Sequence, residues 1–265
     1  MTHPAYGMLR SVTPLASVLL AQNPSPMTLE GTNTWVLRAP DVEECVVVDP
    51  GDVDEDHLLR VAAQGPVAVI LLTHRHHDHS GGARRLAELS GAPVRALDPS
   101  LVLGGEALED GEVVSAAGCE LRVLGTPGHT SDSLCFVLDG PGGEGGVHSA
   151  VITGDTILGR GTTVIAHPDG ALGPYLDSLR LLADLPSGTT VLPGHGPELP
   201  DTPATAGLYL AHREQRLEQV RAALATLGRD ATPRQVVELV YADVDQALWA
   251  AAQWSVLAQL DHLRG

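Results

Sequence analysis

The sequence predicts an α/β domain followed by a helical tail, and three observations carry that expectation. Short apolar runs alternate with Gly- and Pro-rich loops from about residue 8 to residue 195. Helical patterns interrupt those runs at about 54–64, 80–90 and 174–185. After Pro203 long stretches of good helix formers replace the strand-like runs. The expected division is a first unit over 1–200 and a helical subdomain over 201–265.

Taken in order, "LASVLLA" at 15–21 reads as an early strand. Only Arg10 precedes it as a basic residue, and "QNPSPMT" follows where a signal peptide would place a small-residue cleavage site. "NTWVLR", "CVVVD", "VAVILLT", "ELRVLGTP", "LCFVLD", "AVITGD" and "TVLPGH" read as strands buried on at least one face. Within 174–185, Tyr175, Leu176, Leu179 and Leu182 recur at helical spacing. "GPGGEGG" at 140–146 reads as a hairpin tip, since no helix start follows it to make a phosphate cradle. In the tail, a helix over 204–227 ends at "GRDATP"; Pro233 then opens a second helix with Thr232 as its cap. A third covers about 245–263, with Trp249 and Trp254 expected in its packing.

The composition excludes several classes. At 265 residues with 43% hydrophobic content, no apolar stretch reaches the length of a membrane span, so a cytoplasmic protein without membrane contact is expected. Cys45, Cys119 and Cys135 cannot all pair, and free buried thiols are the expectation. The net charge is −17, and all sixteen basic residues are arginine. Such a surface repels polyanions, so duplex DNA is not an expected partner.

Chemistry concentrates in "ILLTHRHHDHSGG", residues 70–82. His74, His76, Asp78 and His79 form an H-x-H-x-D-H pattern directly after a strand run. Alternate residues of an extended loop point the same way, so His74 and His76 can share one cation, while Asp78 and His79, past a turn, can face a second. Imidazole and carboxylate suit zinc, and also iron or manganese. Arg75 and His77 should point away, Ser80 should cap the next helix, and Gly81 and Gly82 should let the backbone pass near the metals. Three more strand runs end on such a residue: His129, Asp155 and His195. A solvated His-rich turn is the bland alternative, and seven ligand-type residues at strand ends weigh against it.

"THRHHDHSGG", "GTPGHTSDS", "TGDTILG" and "PGHGPE" resemble the successive motifs of the metallo-β-lactamase superfamily, over nearly the whole chain. "NPSPMTLEGTNTWVL" and "YLAHREQR" are similar to its beta-lactamase-like endoribonuclease branch, which carries a winged-helix-like helical tail. The resemblance implies a four-layer αββα sandwich with the site along one edge. It implies His74, His76 and His129 at a first metal, Asp78, His79 and His195 at a second, and Asp155 bridging them. Asp49 in "VVVDPG" would brace the metal loops. His212 and Arg213 match a family pair, with a substrate-facing and a domain-packing role both open. His167 follows a family-like "GTTV" loop and is expected to line the cleft. His3, His57, His148 and His262 stand alone and read as surface residues.

The implied reaction is hydrolysis with two divalent ions, Zn2+ first and Mn2+ or Fe2+ as alternatives. Metals roughly 3.5–4 Å apart would share a hydroxide, the pKa of their water falling to about 7, with Asp78 available to take a proton. No Ser or Cys nucleophile is needed, and no GxSxG elbow occurs. Two divalent ions, two aspartates and a hydroxide leave the centre at about +1, so an anionic group can bind despite the acidic surface. The charge balance favours a small-molecule ester or thioester. The alternative is cleavage of short single-stranded RNA, guided by Arg213, Arg216 and Arg221; Glu214 and Glu218 among them make a solvated, salt-bridged helix the simpler reading. A non-enzymatic, metal-stabilised binding module is a third reading, disfavoured because structural zinc sites close four ligands with several cysteines.

Overall fold

The computed structural model describes residues 3–139 and 149–264, so the Gly-rich segment at 140–146 and His148 lie outside the described residues. Alternation along each strand sorts side chains into layers. In β3 (Asn33–Leu37), Trp35 and Leu37 enter one core and Val36 another; in β4 (Cys45–Val48), Val46 and Val48 face the first, and Cys45 and Val47 the second. A six-stranded sheet results, in the order β1 (Leu9–Ser11), β2 (Ala16–Leu20), β3, β4, β5 (Val67–Leu71) and β6 (Val94–Arg95).

The second sheet has five strands, in the order β11 (Thr190–Pro193), β10 (Ala150–Gly154), β9 (Leu134–Leu138), β8 (Cys119–Gly125) and β7 (Val113–Ala116). Trp35, Leu37, Val48 and Leu71 of the first sheet meet Val123, Phe136, Ile152 and Leu192 of the second in the central core. The outer faces are covered by helices. Leu58 and Val61 of α1 (Glu55–Ala62) and Leu86 of α3 (Ala83–Ser90) bury Val36, Val47 and Ile70. Tyr175 and Leu179 of α4 (Leu172–Ala183), with Ala206 and Tyr209 of α5 (Thr202–Leu227), bury Cys135, Val137 and Val151. The four layers follow the expected order, helices, sheet, sheet, helices.

Local chemistry sets the helix limits. Asp54 caps α1 by accepting from the backbone N–H of Asp56 and His57, and Gly91, at φ +76, ends α3. Thr232 and Gln235 close a capping box on α6 (Pro233–Val240), with Pro233 in the first turn as its sequence predicts. α6, α7 (Trp249–Arg264) and the end of α5 share a core of Val220, Val236, Val237, Val256 and Leu260. Within the described residues no helix is long and apolar enough to cross a membrane, and the three cysteines are free and buried.

Several expectations need correction. β1, β6 and β7 were not among the expected strands; they are short, and β1 is exposed throughout. Ser80 does not cap a helix start: it ends a single turn, α2 (His77–Ser80), and its hydroxyl donates to the carbonyls of Arg75 and His76. Trp254 is 49% exposed, while Trp249 is half-buried, stacked under the Arg234 guanidinium at 4.8 Å. His57 is buried, on the inward face of α1 with Leu58 and Val61, its Nε2 2.9 Å from Thr34 Oγ1.

Strand direction places the site. β4 and β5 run parallel, so Asp49 and His74 leave the first sheet at the same edge. β10 and β11 run parallel too and deliver Asp155 and His195 together. The edges join where Asn33 N–H donates to Gly194 O at 2.8 Å.

Candidate metal centre

The loop after β5 brings His74 Nε2 to 3.0 Å from His76 Nδ1, and the loop after β8 brings His129 Nε2 to 3.0 Å from that same atom. Three imidazole nitrogens therefore converge. Beside them, α2 and the turn after β11 set His79 Nε2 3.2 Å from His195 Nε2, and Asp78 Oδ2 3.1 Å from His195 Nε2. Asp155 lies between the groups: Oδ1 is 3.4 Å from both His79 Nε2 and His195 Nε2, and Oδ2 is 3.7 Å from His129 Nε2. The two groups share one carboxylate, and all seven residues come together.

The outward ring nitrogens are held as well. Asp49 Oδ2 lies 2.8 Å from His79 Nδ1, and the same carboxylate accepts from Thr73 N–H (2.8 Å) and Thr73 Oγ1 (2.7 Å). His195 Nδ1 faces Gly31 O at 3.1 Å, and His129 Nδ1 faces Val164 O at 2.6 Å and Thr163 Oγ1 at 3.0 Å. His74 Nδ1 lies 3.0 Å from Thr73 Oγ1. The carbonyl and carboxylate acceptors call for a proton on the outer nitrogen, so that a cation would meet the inner one.

The two groups differ electrostatically. Burial holds His74 well below the usual imidazole range, helped by His79 and His129, and burial brings His129 to about 4. For His195 burial opposes charge, but the Asp155 carboxylate overrides it and the pKa rises to about 9. His79 follows the same balance, with Asp155 and Asp49 holding it well above its usual range. Asp155 is buried too, yet His195 and His79 keep it well below the carboxylate range. The first group thus offers neutral nitrogens, and the second holds protons that a cation would displace.

The residues fit the implied metals. Asp155 Oδ1 is buried without a hydrogen-bond partner, a costly condition that a bound cation removes. The donors are nitrogen and oxygen only, in three sets whose atoms lie within 4.8 Å of one another. Gly194 gives the space: a Cβ there would stand 2.7 Å from Asp155 Oδ1 and 2.7 Å from His79 Cε1.

Arg75 and His77 point away from the centre, as expected, and other residues depart from expectation. Arg75 turns away to an acidic ring, 3.0 Å from Asp132, 3.5 Å from Asp169 and 3.7 Å from Asp98. His77 also turns out, 3.0 Å from Asp52. Gly81 is required by the carbonyl and ring of His77, and Gly82 by Leu58 and the Asp52 carbonyl, not by metals. His167 does not line the cleft; its Nε2 pairs with Asp261 of α7 at 2.7 Å. Arg213 is 3% exposed: its Nη2 donates to Thr163 O, and its guanidinium sits 5.1 Å from the Tyr175 ring centre. Arg216 stacks on Tyr241 and Arg221 pairs with Glu218, so no arginine track runs along α5. The sequence reading missed Thr73, Thr163 and the carbonyls of Gly31 and Val164. Thr73, next to His74 in "LLTHRHHDH", is the one with a local signal.

A cleft of about 410 Å³ reaches this centre, lined by His129 and Asp155 together with His212, Arg213 and residues of α7. Residues 27–195 match the model of the Metallo-beta-lactamase superfamily. The chain belongs to that superfamily. Residues 232–264 match the Beta-lactamase associated winged helix domain. Among relatives of this superfamily member, "Lactamase-like protein adaB" of Aspergillus niger is 34% identical over 223 residues, which are 82% of this chain but only 66% of that protein. "Atrochrysone carboxyl ACP thioesterase" of Aspergillus chevalieri is 32% identical over 90% of this chain and 77% of its own length. A metallo-beta-lactamase family protein of Thermus thermophilus superposes with a TM-score of 0.77 over 96% of this chain and 94% of its own, at 23% identity. Superfamily membership, with this cluster of histidines and aspartates, supports a metal-dependent hydrolase.

Proposed function

We propose that this superfamily member is a two-metal hydrolase of zinc type that cleaves small-molecule thioesters. The observation that carries the reading is the paired His/Asp cluster, with Asp155 shared between its halves, reached by a cleft of about 410 Å³. A cleft of that size suits one compact organic group. The thioesterase name of one relative supports the substrate class.

His74, His76 and His129 would hold one ion, Asp78, His79 and His195 the other, and Asp155 both. Such ions, when bound, polarise a carbonyl oxygen and acidify water. Water adds to the thioester carbonyl: a C–O bond forms, the C–S bond breaks, and the leaving sulfur takes up a proton. Asp78 suits the transfer of that proton. Burial works against its charged form, but the hydrogen bond with His195 outweighs it and keeps the carboxyl below its usual range. Its side chain is 28% exposed against 11% for Asp155, so it is the carboxylate that solvent reaches.

Single-strand RNA cleavage is the second reading, suggested by the resemblance of "NPSPMTLEGTNTWVL" and "YLAHREQR" to the endoribonuclease branch. Against it, no row of free arginines runs along α5, since Arg216 is held by Gln219 and Val240 and Arg221 is paired with Glu218, and the net charge is −17. The test is thiol release from acyl thioesters by the metal-loaded protein, with a fluorogenic single-stranded RNA in parallel. Thiol release that falls at least about a hundredfold in His76→Ala supports the thioesterase reading. RNA turnover without thiol release replaces it with the second.

A further inference from the structure

The cleft beside the metal centre carries more information than its size. Its apolar wall includes Leu29 and Leu158 from the catalytic unit and Tyr241, Val244, Leu248 and Ala252 from the tail. Among the described residues, Asp155 is the one carboxylate lining it, against three arginines and two histidines. On a chain of charge −17, a cleft with that balance is selective.

The arginines are not equivalent. Arg160 is paired with Glu30 at 2.7 Å. Arg216 donates to Gln219 Oε1 and Val240 O, both at 3.0 Å, and lies over the Tyr241 ring. Arg213 has no ion pair among the described residues, although it is 3% exposed. Its Nη2 is used by Thr163 O, and its Nε is buried with no hydrogen-bond partner. The adjacent His212 has the same feature at Nδ1. Guanidinium charge cannot be relieved by deprotonation, so a buried arginine without a carboxylate is costly unless an anion completes it. Thr163 links this pair to the centre, because its hydroxyl contacts His129 Nδ1 at 3.0 Å.

Resting on the thioesterase reading, we infer that Arg213 and His212 recognise an anionic group on the acyl half of the substrate. The substrate class is then a bulky, mainly apolar acyl thioester bearing a carboxylate. The acyl half is favoured over the thiol half because Arg213, His212 and the apolar wall line the same cleft. An acyl chain anchored there places its carbonyl toward Asp155 and His129.

The test compares two aromatic acyl thioesters of N-acetylcysteamine that differ by one ring carboxylate, and the same acyl groups on coenzyme A. The metal-loaded full chain, His212→Gln, Arg213→Gln and Arg213→Lys are assayed, with metal content and thermal unfolding measured on each. We expect the wild type to prefer the carboxylate substrate about tenfold or more in kcat/KM, mainly through KM. The preference should collapse in His212→Gln and Arg213→Gln and return in part in Arg213→Lys. Equal kcat/KM for the paired substrates overturns the inference while leaving thioester hydrolysis standing. A gain that follows coenzyme A, whatever the acyl group, overturns it by moving the anion to the thiol half. Failure of all four substrates overturns the thioesterase reading itself. If Arg213→Gln unfolds, His212→Gln, at a half-buried residue, decides: a preference it keeps overturns the inference.

Discussion

Asp49 Oδ2 and His79 Nδ1 stand 2.8 Å apart, both buried, and that one contact ties the end of β4 to the centre. The same carboxylate holds Thr73 through two further hydrogen bonds, so it sets the start of the His74–His79 loop and one of its rings together. Asp49 also has φ +52, a left-handed conformation that Asn tolerates and Ala does not. Asp49→Asn should therefore keep the backbone and lower metal affinity about 10- to 100-fold. Asp49→Ala should lose more, and destabilise the fold besides. Competition with a chelator of known affinity measures the first effect, and urea unfolding the second.

His57 gives a pH dependence that is separate from the metal ligands. Burial pushes it down to about 4, whereas an imidazole in the unfolded chain titrates near its ordinary 6.5. Between those values the unfolded state binds more protons. The contribution is complete above about pH 6.5 and is lost as pH falls through that window, up to about 3 kcal/mol. The difference in urea midpoint between pH 7 and pH 4.5 should shrink in His57→Gln relative to wild type. An unchanged difference would show that His57 does not titrate this way.

How much of this was legible follows from where each signal lives. The seven candidate ligands stood out because each follows a strand run and is of ligand type; parallel pairing of β4 with β5 and β10 with β11 then brings those strand ends to one edge. His57 read as surface because "DEDHLLR" is acidic and polar, yet α1 turns positions 57, 58 and 61 inward together. Arg213 reads as a packing or a substrate-facing residue alike, since its burial depends on Tyr175 and Thr163, each tens of residues away. His167 was placed in the cleft by its loop, while its partner Asp261 is 94 residues distant. Spacing reports local periodicity, and these contacts are long-range.

Trp35 joins the central core to the turn before His195. Its side chain is 1% exposed and its Nε1 donates to Pro193 O at 3.1 Å, an acceptor that Asn33 Nδ2 also uses at 3.0 Å. Trp35→Ala leaves a large cavity and should cost about 3–5 kcal/mol. Trp35→Phe keeps much of the volume and leaves Pro193 O satisfied by Asn33, so the loss should stay near about 1–2 kcal/mol. Urea unfolding of both variants checks the ranking.

Metal removal should lower stability without unfolding the chain, because the central core among Trp35, Phe136 and Leu192 does not include the ligands. Free zinc at about 100 times its Kd should stabilise the native state by about 2.7 kcal/mol relative to the chelated protein. For a chain of this size that is a rise in Tm of roughly 5–10 °C. Asp155→Ala should abolish most of the rise. A Tm insensitive to chelator and to zinc would mean that the cluster holds no ion in the folded protein.

Gly194 separates the fold from the centre most sharply. Its carbonyl accepts from Asn33 N–H at 2.8 Å and its N–H donates to Gly154 O at 2.8 Å, so the residue belongs to the join between sheets. Its conformation does not call for glycine, since its φ lies outside the left-handed region. What calls for glycine is space: an added Cβ would stand 2.7 Å from Asp155 Oδ1 and from His79 Cε1. Neither neighbour can retreat easily, because His79 is fixed by Asp49 and Asp155 is buried. Gly194→Ala should therefore push apart the shared carboxylate and one ring of the second group while both backbone hydrogen bonds persist. The expected result is a loss of one of the two metal equivalents and of most hydrolysis, with the far-UV circular dichroism of wild type. Two equivalents retained at wild-type affinity would mean that the centre relaxes around a methyl group, and the tight cradle argued from Asp155 Oδ1 would not hold.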